Sequence, residues 1–164
     1  TFDYSGKHYE ITDSPALPKP AQHPHPPIII GGGGAKRTPA LAARFADEFN
    51  IPFVPLDTLT EQYARVAAAV EKAGRAKDSM TYSAAFVVCV GRNDSEIARR
   101  AEAIGREVEE LRSNSPAVGT PAEVVDKLGP FLQAGVQRIY LQVLDQSDLD
   151  HVEFFAEQIV PQVS

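Results

Sequence analysis

Three consecutive isoleucines, Ile28 to Ile30, run directly into four consecutive glycines, Gly31 to Gly34, and few folds accommodate such a junction. An apolar run without alternation suits a strand buried on both faces, as in a parallel sheet. The glycines end that strand and let the backbone turn where side chains would obstruct. Thr38 and Pro39 then read as a helix N-cap and first helical position, opening a helix from Ala40 to about Asp47.

The same order recurs along the chain. Phe49-Asn50-Ile51 reads as a short strand, and Thr58 to about Ala73 as a helix with an Ala/Val face. Thr81 to Val90 is the clearest strand, stopped by Gly91 and followed by a helix from about Ser95 to Leu111. Thr120-Pro121-Ala122-Glu123 is a capping box with proline at the first position, and its helix ends near Gly135. Arg138 to Leu144 forms the last strand and Leu149 to about Val160 the last helix. Strands alternating with helices of this length imply βα units and a parallel sheet. Four such units make either an open sheet or half of an eight-fold barrel.

Upstream the grammar differs. Six of the 13 prolines fall between Pro15 and Pro27, which dictates an extended, irregular connection. Before it, Phe2 to Ile11 reads as a small hairpin with aromatic residues flanking a Ser-Gly turn. The expected organisation is therefore a hairpin and Pro-rich link over residues 1–26, then one α/β unit over residues 27–164.

Charge narrows the partners. Lys and Arg number 16 and Asp and Glu 22, a net charge of −6, which disfavours nucleic acid or an anionic membrane as the main partner. No apolar run approaches the ~20 residues of a membrane span. The single cysteine, Cys89, cannot form an internal disulfide, so nothing demands an oxidising compartment and the cytoplasm is the expected location. The N-terminus lacks a signal-peptide pattern and an initiator methionine, and the reading is of a processed chain or a fragment.

Familiar nucleotide motifs are missing. After Gly34 the third glycine of Gly-x-Gly-x-x-Gly is out of register, and no Gly-Lys-Ser or Gly-Lys-Thr follows. Even so, consecutive glycines between a strand and a helix start can aim several backbone N–H groups at one anion, with the helix dipole adding a favourable field. Gly31, Gly32, Gly33, Gly34 and Thr38 form the candidate anion site, with Lys36 and Arg37 as charge partners. A flexible turn without ligand is the alternative reading of the same residues.

Pro26 to Gly34, followed by Leu41-Ala42-Ala43-Arg44-Phe45-Ala46-Asp47, resembles the bacterial luciferase-like monooxygenase family, and within it the branch that uses the deazaflavin coenzyme F420. Gly119 to Leu128 with Ala134-Gly135-Val136-Gln137-Arg138-Ile139 resembles that family's last helix–strand junction. The hairpin around Gly6-Lys7-His8-Tyr9 before a Pro-rich link fits as well. The resemblance implies the C-terminal half of a (β/α)₈ TIM barrel, because a whole barrel takes about 250 residues and only four units are present. It implies that the anion is the cofactor's phosphate, with F420 as cofactor and FMN as the alternative. The implied activity of the full-length protein is hydride transfer to or from an organic substrate. An FMN-dependent monooxygenase and a non-catalytic assembly module are the other readings. Expected partners are a small-molecule substrate and either further copies of the chain, as a homo-oligomer, or the missing N-terminal half.

Barrel sites lie at the C-terminal ends of strands. That places Asn50 and Gln142 near the mouth, as polar groups able to orient a ring or a substrate. Cys89, among Val87, Val88 and Val90, reads as a small core residue. His23 and His25 read as solvated loop residues without further ligands to make a metal site, and His8 and His151 as surface or capping residues. Asp145, Asp148 and Asp150 precede the last helix and read as capping groups. Glu107, Glu109 and Glu110 read as a solvated helix face. No catalytic triad or carboxylate pair stands out, which suits chemistry carried by a cofactor.

Overall fold

The structure is a computed structural model and describes residues 1–163. β1 (Phe2–Ser5) and β2 (Glu10–Ser14) pair antiparallel, as the hairpin pattern predicts. The Gly6 N–H donates to the Tyr9 carbonyl across the turn at 2.9 Å. Residues 15–28 contain no helix or strand. Their prolines cannot donate to a ladder.

Four parallel strands form the main sheet. They are β3 (Ile29–Gly31), β4 (Glu48–Pro52) and β5 (Thr81–Val87), with Arg138–Gln142 as the fourth. Beyond β5, β6 (Cys89–Val90) and β7 (Val118–Gly119) form a separate parallel pair, so Arg138–Gln142 is β8. The sheet order is β3-β4-β5-β8, which leaves β3 and β8 as its edges.

The helices are α1 (Arg37–Phe45), α2 (Leu56–Lys72), α3 (Asp94–Ala103), α4 (Val108–Asn114), α5 (Pro121–Gln133), α6 (Leu149–Gln158) and α7 (Val160–Val163). One face of the main sheet is covered. Phe49, Ile51, Ala84 and Phe86 lie in one core with Ala42 and Ala43 of α1, Leu59 and Val66 of α2, and Leu128 and Phe131 of α5. Phe86 meets Phe131 edge-on at 5.0 Å, a favourable aromatic arrangement. A smaller core of Cys89, Ile97, Ala101, Leu111 and Val118 holds α3 and α4 on the β6–β7 pair.

The boundaries correct several sequence expectations. Thr38 is not the N-cap of α1: the helix starts at Arg37, Lys36 occupies the cap position, and no side chain caps it. The helix also stops at Phe45, because Asp47 is drawn to the sheet, where its Oδ2 accepts from the Ile28 N–H at 2.8 Å. The long strand to Val90 divides at Val88. The long helix over residues 95–111 divides at Gly105, whose φ of +65° no helix admits. The capping box is present: Glu123 reaches back to accept from the Thr120 N–H at 2.7 Å and its hydroxyl at 3.0 Å.

Arg75 fixes the far end of α1. Its guanidinium donates to the carbonyls of Ala43 at 3.1 Å and Ala46 at 2.9 Å, and to Ser79 O at 2.9 Å. Those carbonyls include orphans of the helix C-terminus, and a cation there also complements the helix dipole. The anchored helix directs its open N-terminus at the glycine turn.

Candidate functional site: the glycine turn and the uncovered sheet face

The glycine turn joins the C-terminal end of β3 to the start of α1. Gly31 lies in register with Asn50, and a Cβ on Gly31 would stand 3.0 Å from the Asn50 carbonyl. Gly32 donates its N–H to that same carbonyl at 3.2 Å and has a φ of +123°, a conformation side chains resist. A Cβ on Gly34 would sit 2.7 Å from Thr38 Oγ1, so only glycine lets the Thr38 hydroxyl face the turn. A Cβ on Gly33 would meet nothing within 4 Å, so the turn is open there.

Among the described residues no acceptor takes the N–H groups of Gly33, Gly34, Ala35 or Lys36. The first turn of α1 carries no acidic residue, and Lys36 and Arg37 are exposed beside it. The arrangement is a cluster of donors at the positive end of a helix dipole, the chemistry that accepts an anion. A phosphate therefore fits these residues, and the gap over Gly33 leaves room for it.

The sheet face opposite the helices carries the polar side chains Asn50, Ser83, Arg138, Tyr140 and Gln142 among smaller apolar ones. Gly31, Asn50, Ser83 and Arg138 share one register row; Pro52, Ala85 and Tyr140 share the next; Val87 and Gln142 share the last. Asn50 Nδ2 donates to Ser83 Oγ at 3.0 Å. At the N-terminal end of β4, Glu48 is buried, pairs with Arg138, and accepts from the Tyr140 hydroxyl at 2.9 Å. The Arg138 guanidinium is held even more firmly protonated by its bond to Tyr140 and by Glu48.

The structure thus brings Asn50 beside the glycine turn and does not bring Gln142 there. Gln142 ends β8, which lies about 10 Å from β4 at usual strand spacing, and it stands four residues beyond Arg138, the β8 residue level with Asn50. It lies on the same face as Asn50, at the C-terminal end of the sheet.

Other sequence candidates sort differently. Cys89 is buried, and burial pushes its thiol pKa up, away from the thiolate a nucleophile needs. His23 and His25 are exposed. His151 corrects the surface reading: it is buried, its Nε2 accepts from the Val90 N–H at 3.0 Å, and burial with Arg100 nearby lowers its pKa. Asp148 caps α6 through the His151 N–H at 2.9 Å, as expected. It also binds the buried Arg100 Nε at 2.9 Å, and Asp150 binds Arg100 Nη2 at 2.6 Å.

Two features escaped the sequence reading. One is the Glu48–Arg138–Tyr140 cluster, whose members lie some 90 residues apart. The other is Gln62, which is 1% exposed and donates Nε2 to Gly34 O at 3.0 Å and Gly32 O at 3.3 Å. A signal for Gln62 existed: an amide stands on the apolar stripe of α2, between Leu59 and Val66 at helical spacing.

The sequence profile of the luciferase-like monooxygenases matches residues 1–117, most of the chain. The chain belongs to the luciferase-like monooxygenase family. Solved structures with the same fold include an F420-dependent secondary alcohol dehydrogenase in complex with an F420–acetone adduct. It is 15% identical with a TM-score of 0.78, over 99% of this chain and 56% of that one. They include the monooxygenase RslO1 from Streptomyces bottropensis, 19% identical with a TM-score of 0.74, over 99% and 56%. They include the oxygenating constituent of 3,6-diketocamphane monooxygenase from Pseudomonas putida in complex with FMN, 16% identical with a TM-score of 0.70, over 99% and 58%. The chain spans about half the length of these luciferase-like structures and corresponds to half of their TIM barrel. In that frame, the polar sheet face is the barrel's interior, and the glycine turn stands on the rim that carries barrel active sites. No described helix is long and apolar enough to cross a membrane.

Proposed function

We propose that this chain is the cofactor-phosphate-binding half of a luciferase-like oxidoreductase that uses the deazaflavin F420. Residues 27–164 form the half-barrel and residues 1–26 the hairpin and link that precede it. The observation that carries the reading is the glycine turn: four successive N–H groups without an internal acceptor, at an uncapped helix start lacking acidic residues. Gly31 and Gly32 bring the backbone close, Gly33 and Gly34 leave the space, and the Thr38 hydroxyl with Lys36 and Arg37 supplies further donors. Asn50 and Gln142 face the barrel interior, where they orient a ring or substrate.

When bound, the deazaflavin supplies hydride transfer to or from an organic substrate. The chain's own share is to hold the phosphate, keep the turn rigid and present the polar interior face. FMN is the second reading, favoured by the FMN-bound relative of the same fold. The complete activity requires the other half of the barrel.

The test compares phosphate-bearing and phosphate-free partners. Titrations with F420 and its phosphate-free deazaflavin core, and with FMN and riboflavin, should each favour the phosphorylated member. The larger preference names the cofactor. Equal affinity within both pairs overturns the phosphate assignment.

A further inference from the structure

Gln62 holds two carbonyls of the glycine turn, and that grip has a geometric consequence. In a trans peptide the C=O of one residue and the N–H of the next point in opposite directions. Among the described residues the cis bonds are at Leu17-Pro18 and His23-Pro24, so the Gly32–Gly33 and Gly34–Ala35 bonds are trans. Gln62 Nε2 takes the Gly32 and Gly34 carbonyls. The N–H groups of Gly33 and Ala35 are therefore turned to the side away from Gln62.

We infer that Gln62 is a positioning residue for the phosphate-binding turn, gripping the Gly32 and Gly34 carbonyls so that the Gly33 and Ala35 N–H groups face the ligand. This rests on the phosphate reading of the turn. The orientation of the amide is fixed from its other end. Arg65 Nη1 donates to Gln62 Oε1 at 3.1 Å, and a guanidinium has no acceptor, so the oxygen must face Arg65 and the nitrogen the turn. Arg65 is itself held by Glu61. Without Gln62, flexible glycines can rotate either peptide and swap a donor for a carbonyl at the anion. A carbonyl there repels phosphate, so the loss exceeds that of one missing contact.

Amide NMR of the chain during titration with inorganic phosphate reads the turn directly. In the wild type the Gly33 and Ala35 signals should move and saturate. In Gln62→Met, which keeps the shape and loses the donors, the same signals should need at least about tenfold more phosphate, with the rest of the spectrum unchanged. Gln62→Lys, which retains donors, should recover most of the affinity. Wild-type affinity in Gln62→Met overturns the positioning role and leaves the phosphate site standing. No movement in the wild type overturns both. If Gln62→Met does not fold, the wild-type Gln62 side-chain amide decides: it should shift and exchange more slowly with phosphate, and an amide indifferent to phosphate overturns the proposal.

Discussion

Glu48 and Tyr140 meet across a strand that belongs to neither: the Tyr140 hydroxyl on β8 donates to Glu48 Oε1 on β4 at 2.9 Å, spanning β5 between them. Glu48 is 4% exposed and Tyr140 39%. Arg138 completes the cluster. Tyr140→Phe should therefore destabilise the chain by about 1 kcal/mol, the usual loss for a hydrogen bond to a charged group reduced for its exposed donor. Glu48→Gln in the Phe background should show that the two losses are coupled. Urea unfolding of the four members of the cycle checks this, and strict additivity would count against the cluster.

The glycines should separate folding from binding. A Cβ at Gly33 would meet no protein atom within 4 Å, so the melting temperature of Gly33→Val should stay near wild type while affinity for FMN or F420 falls at least tenfold. Gly32→Ala forces a side chain onto a φ of +123° and should cost about 2 kcal/mol of stability. Gly34→Ala presses on Thr38 Oγ1 and should do both in part. Thermal melts beside cofactor titrations check the series. A Gly33→Val protein that binds normally would remove the cradle.

Stability should fall as pH drops below about 6.5. His151 accepts a backbone N–H at Nε2, so it folds neutral, and burial lowers its pKa below the unfolded value. The unfolded chain then binds a proton first, so the stabilisation is present above the unfolded pKa of about 6.5 and lost as pH falls through the folded one. A second decline belongs to lower pH. Asp148 and Asp150 are depressed, and Glu123 is pulled to about 2 by the Thr120 N–H and Arg112. His151→Gln should flatten only the upper part of the curve in urea melts between pH 4 and 8.

Arg75→Met should cost about 2 kcal/mol, because it uncaps the C-terminal carbonyls of α1 and leaves them part-buried. Arg75→Lys should recover little, since one ammonium cannot copy the fork that reaches Ala43, Ala46 and Ser79 together. Denaturant midpoints of both variants check this.

The alternation of strands and helices was legible in the sequence because its signals are local. Ile28 to Ile30 before glycines marks a strand end, and Thr120 with Glu123 marks a helix start. The glycine turn was legible for the same reason. Where local signals competed with tertiary ones, the sequence misled. Thr38 next to Pro39 looks like a cap, yet the anchored helix begins two residues earlier than that cap implies, at Arg37 after Lys36. The strand that begins at Thr81 stays apolar from Ala84 through Val90, and nothing in that run marks the change of partner at Val88. The pairings of Gln62 with the turn and Glu48 with Arg138 join residues far apart in the chain, so only the folded sheet reveals them.

The change of partner at Val88 also governs how the molecule opens. The Val88 N–H donates to Gln142 of β8 at 3.1 Å, and the very next N–H, of Cys89, donates to Ala117 at 3.1 Å. Adjacent amides therefore belong to different ladders with no slack residue between them. The α3–α4 lobe and the main sheet are coupled into one cooperative unit, and neither can unzip without loading the other. The lobe is in this sense a clasp on the half-barrel rather than an appendage to it.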